Sequence, residues 1–92
     1  MPYVVAKLKV KDYSQWRPKF DMGASFRKAS GLISEHVFKS ESNPNEVVLV
    51  FEWRELEKAK QLMQSPELKE RMKESGVESH EIYLEAEQKV GV

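Results

Sequence analysis

Apolar residues are most concentrated in Asn45 to Trp53, N-E-V-V-L-V-F-E-W, where five Val, Leu or Phe residues follow one another without a break. A strand that is apolar on both faces needs cover on both, so this stretch belongs in the middle of a sheet. Before it, Glu41-Ser42-Asn43-Pro44-Asn45 is dense in turn formers, which predicts a hairpin with the strand Leu32 to Ser40. Tyr3 to Val10 alternates, with Val4, Ala6, Leu8 and Val10 on one face and Tyr3, Val5, Lys7 and Lys9 on the other. That is the two-residue period of a strand. Ser79 to Glu87 repeats the pattern, with Ile82, Leu84 and Ala86 opposed to Tyr83, Glu85 and Glu87.

Between the strands the period changes to that of a helix. Asp12 offers an N-cap carboxylate to a helix in which Tyr13, Trp16, Phe20, Gly23, Ala24 and Arg27 recur at three-four spacing. Pro18 lacks a backbone donor and predicts a kink within this one helix, and Gly31 ends it. A second helix is expected from Leu56 to Gln64. Ser65-Pro66-Glu67 then supplies an N-cap, a first-position proline and a first-turn anion to a third, Pro66 to Ser75, which stops at Gly76. Gln88 to Val92 reads as a tail.

Strand, helix, strand, strand, helix pair, strand is the split βαβ order. It predicts an α+β, ferredoxin-like βαββαβ domain over residues 1–92, ordered from about 2 to 87. Its four-stranded antiparallel sheet has the order 4-1-3-2, with the helices on one face. A turn centred on Asn43-Pro44 sets Phe38 opposite Leu49, His36 opposite Phe51 and Ser34 opposite Trp53, with Val37 opposite Val50 and Glu35 opposite Glu52. A one-residue slip inverts this assignment. The face away from the helices lacks cover, and a second copy packed sheet against sheet supplies it economically. Lys7 and Lys9, with Glu52, Glu85 and Glu87, are placed to pair across that interface.

Composition narrows the partners. A chain of 92 residues buries only about two-thirds of its unfolded surface, so a partner subunit helps. Fifteen basic and fifteen acidic residues are interleaved, which argues against nucleic acid or an anionic membrane as partner. With no cysteine, thiol chemistry, disulfides and thiolate metal sites are excluded. The first ten residues carry two lysines within their apolar run, unlike a signal or spanning segment, and the expectation is an unprocessed cytoplasmic protein.

Among candidate chemical groups, His36 on a strand facing an aromatic cavity is suited to accept a proton near neutral pH; the plainer alternative is a half-buried histidine with one hydrogen bond. Trp16, Phe20, Phe51 and Trp53 either wall an aromatic pocket or are simply core. Tyr3 and Tyr83 offer hydroxyls. Arg27, on the side of Phe20 and Ala24, is placed to hold a carboxylate or enolate, or to pair with a nearby Glu. His80 is expected to be exposed, and two distant histidines make no metal site.

D-Y-x-x-W at Asp12 to Trp16, N-P-N-E at Asn43 to Glu46, F-E-W at Phe51 to Trp53 and S-P-E-L at Ser65 to Leu68 accompany this layout. Together, over Tyr3 to about Glu87, they resemble the dimeric alpha-beta barrel superfamily, and within it the small proteins grouped with antibiotic biosynthesis monooxygenases. The resemblance implies a homodimer forming a dimeric α/β barrel, with a pocket between the sheet and helices of each subunit. It implies a small apolar, aromatic or polyketide-like ligand and a cofactor-independent monooxygenase or cyclase-like reaction, with His36 as base. The alternative is a non-catalytic ligand-binding or assembly module of the same fold. The haem-degrading branch is similar in Trp53, but Met72 stands at its histidine position and Tyr3 to Val10 holds no asparagine. Neither haem nor any other cofactor or metal is therefore expected.

Overall fold

The computed structural model describes residues 2–85. The expected end of the last strand at Ala86 and Glu87, the 88–92 tail, and the pairings assigned to the side chains of Glu85 and Glu87 lie outside the described residues. The elements run β1 (Tyr3–Val10), α1 (Tyr13–Met22), α2 (Ala24–Ala29), β2 (Leu32–Lys39), β3 (Glu46–Trp53), α3 (Leu56–Met63), α4 (Pro66–Glu74) and β4 (Val77–Glu85). No helix among the described residues is long and apolar enough to cross a membrane.

The four strands form one antiparallel sheet in the order β2-β3-β1-β4, the ferredoxin-like arrangement. The expected barrel is corrected here, because the sheet is open. β2 and β4 are its two edges and do not pair with each other. Closing a sheet on a filled interior takes about eight strands, and this chain supplies four.

Asp12 caps α1 by accepting hydrogen bonds from the Ser14 amide at 2.9 Å and the Ser14 hydroxyl at 2.7 Å. Those bonds, the hydroxyl's first, hold its carboxyl below the usual aspartate value. The expected single helix is also corrected, because the segment forms two, α1 and α2. The exposed proline lies within α1, and the break falls at Gly23, whose amide turns back to the Phe20 carbonyl at 3.0 Å. Losing one donor on the solvent side does not stop the helix. Gly31 has φ 109° and sits against Trp53, so a side chain there would meet the indole as well as an unfavourable backbone. Ser65 caps α4, accepting from the Leu68 amide at 3.1 Å, with Pro66 in the first turn.

The β2–β3 register is one residue away from expectation. His36 lies opposite Val50, Val37 opposite Leu49, Phe38 opposite Val48, Glu35 opposite Phe51 and Ser34 opposite Glu52, with an irregularity between Leu32 and Ser34. The loop closes by Ser40 amide to Glu46 carbonyl at 2.9 Å and Glu46 amide to Asn43 carbonyl at 3.0 Å. The Ser40 hydroxyl also accepts from the Asn43 amide. These bonds centre the turn on Asn43. Because side chains alternate, Glu35 and Val37 turn towards the helices, and His36 and Phe38 away from them.

The core follows from the same alternation. Val4, Ala6, Leu8 and Val10 of β1 and Val47, Leu49, Phe51 and Trp53 of β3 are buried beneath the helices with Trp16, Ala59 and Leu62. Burying one such aromatic contributes about 4–6 kcal/mol before ordering entropy is subtracted.

Candidate functional site

The helical layer does not fill the space above the sheet. A cavity of about 370 Å³ remains, in the range of small-ligand sites. Ala6, Leu8, Leu49, Phe51 and Ile82 form its floor. Its walls come from Trp16 and Phe20 on α1, Phe26 on α2, Leu62 and Met63 on α3, and Leu68 and Met72 on α4. The room has a local origin in Ala6, the smallest side chain on the buried face of β1, which stands between Val4 and Leu8.

One aromatic run forms its inner wall. Trp16 and Phe20 stack with ring centroids 4.8 Å apart, Phe20 lies 6.4 Å from Phe51, and Phe51 meets Trp53 edge-on at 5.8 Å. Trp53 is wholly buried behind Phe51 and does not line the cavity. Its indole N–H donates to the Ser30 carbonyl at 2.9 Å, tying the end of β3 to the end of α2.

Arg27 lines the cavity and is only 7% exposed. Its Nε and Nη2 donate to the two carboxylate oxygens of Glu35 at 2.8 and 3.2 Å, and its Nη1 donates to the Phe20 carbonyl at 2.9 Å. The guanidinium carbon sits 3.8 Å from the Phe20 ring centre. A two-pronged partner and an aromatic face are what a buried guanidinium requires. Gly23 makes the space, since a Cβ there would lie 2.9 Å from Arg27 Nη1 and 3.4 Å from the Phe20 carbonyl oxygen.

Trp16, Phe20, Arg27 and Phe51 thus meet at one cavity. His36 and Tyr83 do not. His36 is exposed on the other face of the sheet beside Phe38, at a ring separation of 6.4 Å. Tyr83, opposite Val5 on that same face, is 49% exposed and donates its hydroxyl to Glu81 at 2.7 Å, which raises its pKa. His80 is exposed, and Tyr3 is half-buried beside Glu52. Among the described residues no three His, Asp or Glu side chains gather as metal ligands would.

Sequence reasoning missed Glu35, Gly23 and Arg71. The first depended on the register. Arg71 was detectable, because Leu68, Arg71, Met72 and Ser75 recur at helical spacing and all line the cavity.

A family profile described as antibiotic biosynthesis monooxygenase matches residues 1–74. No curated protein matches the sequence. Solved structures share the fold at low identity. One is SnoaB, a cofactor-independent oxygenase from Streptomyces nogalater, at 13% identity and TM-score 0.78, covering 97% of this chain and 94% of that one. Another is an antibiotic biosynthesis monooxygenase at 12% and 0.73, covering 97% and 100%. A dimeric ferredoxin-like protein from an uncultured marine organism follows at 14% and 0.64, covering 99% and 90%.

Proposed function

The chain belongs to the antibiotic biosynthesis monooxygenase family, and on that premise we propose that it binds a small aromatic or polyketide-like compound in the sheet–helix cavity and oxygenates it without a cofactor. The observation that carries this reading is the cavity itself, with Trp16, Phe20 and Phe51 as a flat wall for a planar ligand. An activated methylene of the anthrone type gives its proton to water at the cavity mouth, leaving a delocalised carbanion, and the same proton count is restored when the peroxide anion formed with dioxygen is protonated to the hydroperoxide. The carbanion adds dioxygen, and the hydroperoxide sheds water to leave a ketone. Substrate and one dioxygen give ketone and one water, so the electrons balance with no external reductant. The apolar walls keep water from the carbanion.

His36 lies on the opposite face of the sheet, out of position to serve this cavity as a base. Neither histidine lines the cavity, and among the residues that do, Glu74 is the one carboxylate. That placement favours a second reading, a non-catalytic module that binds the same class of ligand. Incubation with 1,8-dihydroxyanthrone in air separates the two. The oxygenase reading expects one dioxygen consumed per anthraquinone formed, faster than without protein and unaffected by chelators. Binding with no acceleration leaves the non-catalytic module.

The open face of the sheet supports a second copy of this chain as partner. Phe38 is 57% exposed there and Tyr83 nearly as much, beside the half-buried Val5, Val48 and Val50. Phe38→Glu is expected to leave the circular dichroism unchanged and halve the mass measured by light scattering. A wild-type monomer at micromolar concentration refutes the dimer.

A further inference from the structure

We infer that the cavity's ligand is an acid: a compound with an apolar or aromatic body and a single carboxylate or equivalent anionic group, seated by Arg71 beside the free edge of Arg27. The inference rests on reading the cavity as a ligand site and adds the charge of its occupant.

The charged residues lining the cavity are Lys19, Arg27, Arg71 and Glu74. Three cations against one carboxylate is an odd fringe for a cavity meant for a neutral hydrocarbon. Their partners show where positive charge is left over. Arg27 is neutralised by Glu35, at 2.8 Å. Lys19 gives a hydrogen bond to the backbone carbonyl of Glu74 at 3.1 Å, and no ion pair of Lys19 occurs among the described residues. Arg71 reaches Glu67 at 3.4 Å, with the side chains 44% and 59% exposed. An exposed i,i+4 pair at that separation is screened by water and readily exchanged for a better partner. The margin of the cavity therefore keeps net positive charge, centred on Arg71 and Lys19.

The geometry gathers that charge at one point. A Cβ built on Gly23 would lie 2.9 Å from Arg27 Nη1 and 3.8 Å from Arg71 Nη1, so guanidiniums from two different helices close on the same spot. Two cations draw together this way only if one is already paired or an anion lies between them. Arg27 is the paired one. Of its five N–H donors three are used, leaving two. Each guanidinium lies against an aromatic wall, Arg27 on Phe20 at 3.8 Å and Arg71 on Phe26 at 4.6 Å. Stacking holds the plane of the group and leaves its N–H edge for a carboxylate. The wall then takes the body of the ligand, and the N–H edges of Arg71 and Arg27 that face the cavity take its head.

The test is calorimetric titration of the intact chain with 2-naphthoate and with 2-naphthamide, which match in shape and differ in charge. Naphthoate is expected to bind about tenfold tighter, equivalent to about 1.4 kcal/mol, with the difference shrinking as salt is raised. Arg71→Met should bring naphthoate down to the level of naphthamide, and Arg71→Lys should restore part of the preference. Lys28→Met, an exposed cation of α2 that does not line the cavity, should leave the preference intact. Equal binding of the two probes overturns the anion seat while leaving the cavity a ligand site. A preference that survives Arg71→Met overturns the seat as well, and failure of both probes to bind overturns both readings.

Discussion

The two faces of the sheet come from the same strands and do opposite things. On the helix side, alternate residues of β1 and β3 are buried to a few per cent, the aromatic rings touch in sequence, and the buried guanidinium of Arg27 has its charge matched by Glu35. On the other side β1 presents Lys7 and Lys9 to solvent, and the edge strands β2 and β4 leave Phe38 and Tyr83 about half exposed. One face has settled its polar groups and kept a hole, and the other has settled neither its charges nor its apolar area. Chemistry belongs where water is excluded and donors are fixed. The open face has the makings of a contact surface instead.

The largest expected effect contrasts one residue from each face. Trp53→Ala removes a wholly buried indole and orphans the Ser30 carbonyl, and should lower stability by about 3–5 kcal/mol in urea titration. His36→Ala, exposed on the open face, should stay within about 0.5 kcal/mol. Comparable losses would erase the distinction between the faces. Next in size, Glu35→Gln strips the partner from a guanidinium that is 7% exposed. The same urea titration should show about 2 kcal/mol of loss, below the range for a fully buried pair because Glu35 keeps some contact with water. An unchanged midpoint would mean that the pair contributes nothing.

Ala6→Leu sharpens the comparison from inside the cavity. The larger side chain enters existing space, so stability should move by no more than about 1.5 kcal/mol, while binding of naphthalene-sized probes is lost. Retained binding would place the ligand elsewhere. The smallest effect lies at the cap of α1. The carboxyl of Asp12 titrates below its ordinary value of 3.8 in the folded protein, so the charged form is favoured by folding. Its contribution is present above that pH and disappears as pH falls through the lower, folded value. The stability gap between wild type and Asp12→Ala should therefore be constant above about pH 5 and close below about pH 4. A gap that widens on acidification contradicts the cap.

Most of this contrast was legible in the order of residues. The alternation from Tyr3 to Val10 marks both the limits of β1 and its buried face, and Ser65-Pro66 marks the start of α4. Trp16 and Phe20 follow from helical periodicity, whereas the unbroken apolar run around Phe51 leaves its face unmarked. What could not be read was decided by contacts remote in sequence or by details of one turn. Asn43 and Pro44 are both good turn formers, and the Ser40 hydroxyl and the Asn43 carbonyl settle which of them centres the loop. That single step sends His36 outward and brings Glu35 to Arg27. Pro18 looked like the weak point of the first helix. Gly23 is where α1 gives way to α2, and a side chain there would collide with Arg27. The barrel implied by resemblance failed for a simpler reason, since four strands leave two open edges.

The account stands or falls on which face takes up a small molecule. Backbone amide chemical shifts recorded during titration with 2-naphthoate decide it directly. The predicted perturbations fall on Ala6, Gly23, Phe26, Leu49 and Met72 around the cavity. Perturbations confined to His36, Val50 and Tyr83, or none at saturating probe, would contradict it.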